Sequence, residues 1–128
     1  MLLARDSTKP LDRLAKDLEA ACAAHKFGVL GVHDLRAKLR EKGQDLAREC
    51  RVYEVCNPVA AKRALDTNLE ISTALPCRIA LHQAGESVTR LATIRPTMLL
   101  DIFGTSALRE VAKEVEEALV AIIEEAAA

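Results

Sequence analysis

Residues 77–83 and 88–94 form two apolar runs of strand length, separated by the turn residues Ala84, Gly85 and Glu86. Pro76, which has no backbone N–H to give a ladder, introduces the first run. Runs this close pair antiparallel, because a parallel crossover needs a dozen residues or more. A lone hairpin is not stable in water. The rest of the chain must therefore supply further strands and a covering layer.

The layer is written at helical spacing. Pro10 suits a first helical turn, and Leu11, Leu14, Ala15, Leu18, Cys22 and His25 follow on one stripe. A second stripe, Leu108, Val111, Ala112, Val115, Leu119 and Ile122, belongs to a long helix from about Ser106 nearly to the end. Further strands are expected at residues 2–5, at 27–32 (an apolar run with two glycines, read as buried) and at 50–56. Asp34 is placed to cap a helix carrying Leu35 and Leu39, which Gly43 ends. Asn57 and Pro58 open a short helix to about Leu65. Residues 96–103 read as an apolar link. The whole predicts one α+β domain over residues 1–128. It has a mixed, mostly antiparallel sheet of about five strands, helices largely on one face and a long C-terminal helix.

Composition narrows the function classes. Aromatics are 2% of the chain, so the core is aliphatic. Eighteen basic and 19 acidic residues leave a net charge of −1, with no field to gather nucleic acid or an anionic membrane. The basic positions Arg36, Lys38, Arg40, Lys42, Arg48 and Arg51 are interrupted by acids and lack an aromatic row, so they read as a solvated face. No stretch reaches the roughly 20 apolar residues of a membrane helix. Residues 1–10 do not read as a signal peptide. The expectation is a cytoplasmic protein that binds neither nucleic acid nor membrane.

Chemistry is sought among the cysteines. Cys22, Cys50, Cys56 and Cys77 include no CxxC pair, which argues against a thioredoxin motif or zinc ribbon. They read as free thiols of a reducing compartment. Cys22 sits on a core stripe and Cys50 at a strand start. Two motifs remain: Cys56-Asn57-Pro58 at a strand-to-helix junction, and Leu75-Pro76-Cys77-Arg78 where a strand begins. Cys56 precedes a helix N-terminus, whose unpaired N–H groups favour an anion and would lower a thiol's pKa. Arg78 would act likewise on Cys77 if it pointed inward. The opposing reading makes both cysteines small core residues. His25, His33 and His82 lack the spacing of a helical metal site. His33-Asp34 reads as a strand end and a helix cap. No serine sits in a GxSxG elbow, and Gly28 and Gly31 lie within a strand rather than in a phosphate loop.

The segment from Glu49 to Pro58, with Ala60, Ala61 and then Leu75-Pro76-Cys77-Arg78-Ile79, resembles the family called domain of unknown function three-hundred-and-two. Phe27 to Leu30, Asp34-Leu35, Leu39 and Gly43 also match its pattern. The resemblance runs over about residues 2–96. It implies a curved sheet backed by helices, akin to the TATA-binding-protein-like arrangement, and a homodimer. It does not assign an activity and leaves any cofactor, metal or haem unknown, and it adds weight to Cys56, Asn57, Pro58, Pro76 and Cys77. These five are the expected ligand-binding residues, with no catalytic or metal set named. The favoured expectation is a dimeric binding module with a cleft at the Cys56/Cys77 sheet edge. Its ligand would be a small thiol, sulfur compound or cofactor. The alternatives are a thiol-dependent redox or sulfur-transfer enzyme using Cys56 or Cys77, and an interaction protein without a small ligand.

Overall fold

The computed structural model describes residues 2–128. They form five strands: β1 Leu2–Ser7, β2 Gly28–Asp34, β3 Cys50–Cys56, β4 Cys77–Gly85 and β5 Val88–Ile94. Five α-helices join them: α1 Leu11–Ala24, α2 Leu35–Glu41, α3 Pro58–Thr67, α4 Pro96–Leu100 and α5 Ser106–Ala127. Single 3-10 turns occupy Leu69–Thr73 and Asp101–Phe103. The α+β expectation holds. The sheet order is β1-β5-β4-β3-β2, and every pairing is antiparallel, where the sequence reading allowed a mixed sheet. The predicted hairpin is β4–β5.

Alternation decides the faces. Leu3, Tyr53, Val55, Ile79, Leu81 and Leu91 turn to one side and are buried with α1 and α5 in the main core. On the other side Leu2, Ala4, Asp6, Val52, Glu54, Arg78, Ala80, His82, Arg90 and Ala92 are half-buried or exposed. Arg90 meets Asp6 there through two hydrogen bonds, at 2.6 and 3.1 Å.

α5 joins two cores. Its C-terminal half gives Leu119, Ile122, Ile123 and Ala126 to the main one. Its first half gives Leu108, Val111 and Ala112 to a second, with Ala64 of α3, Ile71 of the 3-10 turn and Leu100 of α4. Val115 packs against both.

The caps are as read: Asp34 accepts from the Ala37 N–H at 3.0 Å, and Asn57 from the Ala60 N–H at 3.1 Å. Gly43, at φ 78°, ends α2, with the Gln44 N–H on the Leu39 carbonyl at 2.9 Å. Lys26 takes the same left-handed position after α1, at φ 63°. Residues 96–103, read as a link, are helical; Pro96 supplies the preset φ of a first turn.

The reading of residues 27–32 as a buried strand is corrected. Phe27 is buried, but β2 is the last strand of the sheet and has a partner on one side only. Val29, Leu30 and Val32 are 38%, 65% and 45% exposed. A bulge falls between Val29 and Gly31, leaving Leu30 unpaired. Gly31 lies so close to β3 that a Cβ there would sit 3.3 Å from the Glu54 carboxylate.

Candidate functional site

β3 runs out at Cys56, and the chain turns at once into α3, because Asn57 caps it and Pro58 fills its first position. Asn68 then caps the 3-10 turn, accepting from the Glu70 N–H at 2.9 Å. The chain returns through Leu75–Pro76, whose peptide bond is cis, to start β4 at Cys77. Cys77 pairs with Val55 in the ladder, so Cys56 lies one residue beyond its partner.

This excursion encloses a cavity of about 190 Å³ at the end of the sheet. Val55, Cys77 and Thr93 reach it from the helix-covered face, and Cys56, Arg78 and Ile94 from the bare one. Ala60, Ala61 and Ala64 of α3, with Ala74, make one wall. Leu99 and Leu100 of α4 and Val111 and Val115 of α5 make the opposite wall. The space exists because α3 meets the gap between the two cores with alanines, whose methyl groups are too short to close it. Asn57, Thr73 and Thr93 are its uncharged polar side chains apart from the thiols, and Arg78 is the one charged residue of the lining.

Of the five residues expected to bind a ligand, Cys56, Asn57, Pro76 and Cys77 line this cavity together. Pro58 does not. It faces a neighbouring, more open cleft with His25, Val59 and Arg63, because the first turn of α3 points its N1 ring outward. The sequence reading missed Ala64, Ala74, Thr93 and the α4 wall. The alanines at positions 60 and 64, one helical turn apart next to a strand end, were the available signal. Nothing local marked Thr93, whose hydroxyl donates to the Arg78 carbonyl at 2.7 Å.

The electrostatics oppose a reactive thiol. Burial pushes the Cys77 thiol up to about 11, with the neighbouring Cys56 adding to it. Burial raises Cys56 as well, so the expected lowering by the α3 N-terminus is corrected: Asn57 lies between Cys56 and the free N–H groups and takes one itself. Arg78 is on the opposite face of β4 from Cys77 and stands 3.6 Å from Glu54. Burial raises Cys50, with Asp34 contributing, and lifts Cys22 to about 11, helped by Glu19.

The histidines serve elsewhere. His25 meets Glu125 at 2.8 Å. His33 meets Glu54 through Nε2 at 2.7 Å and Lys38 through Nδ1 at 2.8 Å. A lysine ammonium has only donors, so in that contact Nδ1 accepts and Nε2–H donates to Glu54. The contact holds the Glu54 carboxyl below the usual carboxylate range. Among the described residues no three His, Cys, Asp or Glu side chains gather as metal ligands do.

Comparison with known proteins adds the following. The model of a family described as "Domain of unknown function DUF302" matches residues 3–126. The crystal structure of an uncharacterized conserved protein DUF302 from Bacillus stearothermophilus superposes with a TM-score of 0.92. The two chains are 31% identical, over 98% of this chain and 97% of that one. No curated protein matches.

Proposed function

The chain belongs to the family of domain of unknown function DUF302, and from that premise we propose that it is a small-molecule binding module whose ligand occupies the cavity at the sheet end. The observation that carries this reading is the convergence of Cys56, Asn57, Pro76 and Cys77 on one apolar space. A structural cap explains Asn57, and a turn explains Pro76, but neither explains two cysteines lining the same space. At about 190 Å³ the cavity is below the range of drug-sized pockets, so the ligand is small. Both thiols are held neutral by burial, which favours contact over nucleophilic attack.

The test is a nuclear magnetic resonance titration with a compact neutral probe such as cyclohexanol. Binding here moves the amide resonances of Cys56, Ala60, Ala74 and Cys77. The response is lost in Ala61→Leu, whose larger side chain fills the space and whose fold is checked by circular dichroism. Unmoved resonances in the native chain would end the reading.

The module as proposed is a homodimer of the cytosol, where its four free cysteines stay reduced. What supports the dimer is β2: an edge strand with Val29, Leu30 and Val32 exposed is the kind of edge proteins normally cover or charge. A second copy pairing there buries a strand whose composition is that of an interior one. Among the described residues no helix is long and apolar enough to cross a membrane.

A further inference from the structure

Resting on the cavity reading above, we infer that the ligand is a small uncharged carbonyl compound, with its hydrocarbon part in the cavity and its oxygen on the side-chain amide of Asn57. The cavity and the more open cleft beside it share four lining residues, Phe27, Asn57, Ala60 and Val115, which form the boundary between them. Asn57 is the polar one of the four. Inward from it the walls are mostly alanine, leucine, valine and proline, which suit a hydrocarbon. An apolar cavity of about 150 Å³ accommodates benzene, so about 190 Å³ takes a six-membered ring with one substituent.

The fold fixes both the orientation of that amide and its spare capacity. Asn57 Oδ1 accepts from the Ala60 N–H at 3.1 Å to cap α3, so the amide oxygen and nitrogen cannot exchange places without breaking the cap. The Nδ2 amino group is left over. Among the described residues it donates to no protein group, and it is not sealed in, since Arg36 Nε is the one side-chain polar atom both buried and unpaired. The hydroxyls of the lining are engaged: Thr73 donates to the Glu70 carbonyl at 2.8 Å, and Thr93 to the Arg78 carbonyl at 2.7 Å. Arg78 is turned to Glu54 on the bare face of the sheet. Apart from the thiols, the Asn57 amino group is thus the neutral side-chain donor left for a ligand, and it asks for an acceptor. A carbonyl oxygen needs only that. A hydroxyl would bring a proton of its own, for which the side chains of Phe27, Ala60 and Val115 hold no acceptor. A carboxylate would set its charge among those same apolar side chains, at high cost.

The experiment titrates the full chain with cyclohexanone and with methylenecyclohexane, which keeps the shape but has a methylene group in place of the oxygen. Binding is followed on the amide resonances of Cys56, Ala60, Ala74 and Cys77, in the native protein and in Asn57→Asp. Aspartate caps a helix as well as asparagine does, so the substitution keeps the cap and removes the donor. Asn57→Ser, which also caps and adds no charge, is the second variant; its hydroxyl ends one bond short of the lost N–H. Both variants are expected to weaken cyclohexanone by about three- to tenfold, the scale of one neutral hydrogen bond, and methylenecyclohexane by less than about twofold. Comparing native and variant ligand by ligand cancels the different hydration of the two compounds. If the variants weaken both ligands alike, or weaken neither, or if the hydrocarbon binds and the ketone does not, the carbonyl assignment is overturned while the cavity reading stands. If neither compound binds the native chain, both fall.

Discussion

Lys26 holds a left-handed conformation that an L-residue other than glycine adopts at a cost. It closes α1, where its own N–H reaches the Ala23 carbonyl at 3.1 Å and the Phe27 N–H reaches the Cys22 carbonyl at 2.8 Å. That is the hydrogen-bond pattern glycine usually completes. Lys26→Gly is therefore expected to stabilise the fold by about 0.5–1 kcal/mol, after allowing for the extra backbone entropy glycine loses on folding. A urea midpoint that falls would contradict this. The buried thiols make a second prediction. Cys22 and Cys77 are pushed up to about 11 in the folded chain, whereas an unfolded thiol ionises near ~8.5. The unfolded state thus releases its protons first as the solution becomes alkaline. Stability from this source is whole below that lower value and declines as pH climbs toward the higher one. Urea unfolding across an alkaline pH series should show the decline, and Cys77→Ala should make it shallower. Parallel curves for the two proteins would count against burial as the cause.

Among the elements, α3 connects fold and site. Asn57 caps it and lines the cavity, so one side chain serves both. Asn57→Ala should cost about 1 kcal/mol in chemical denaturation, the usual worth of such a cap. The helices and strands were legible because their signals are local. Pro10, Asp34, Gly43 and Asn57-Pro58 each mark a boundary by backbone chemistry, and the stripes of α1 and α5 mark a buried face. The cavity was legible only by its motif residues. Its far wall comes from α4, which read as a link because five residues are too few to display a helical period. β2 misled for a related reason: an apolar composition says that a strand wants to be covered, and nothing in it says whether another strand of the same chain does the covering.

At the scale of the molecule, the exposed apolar edge gives the fourth expected outcome. Leu30→Lys adds a charge at the unpaired residue of the bulge, and on the proposed pairing sedimentation is expected to show a dimer for the native chain and monomers for the variant. Since Leu30 is 65% exposed, the monomer's own stability should change by no more than about 0.5 kcal/mol. A native chain that is already monomeric at tens of micromolar would remove the dimer from the proposal.

The pairing of β1 with β5 governs the order in which the structure is completed. Leu2 lies opposite Ile94, Lys9 reaches the Ala126 carbonyl at 2.8 Å, and Arg5 meets Glu124 at 3.0 Å. The first strand made is thus one of the last to find its place. At synthesis rates of about 5–20 residues per second, it waits roughly 5–20 s for its partner to leave the ribosome. During that interval the emerging chain has β4 without the strand that pairs with its outer edge, and α1 without the second helix of its layer. Completion of the fold therefore waits for β5 and α5 to emerge, and until then the chain depends on its surroundings to keep an open sheet edge apart from its neighbours.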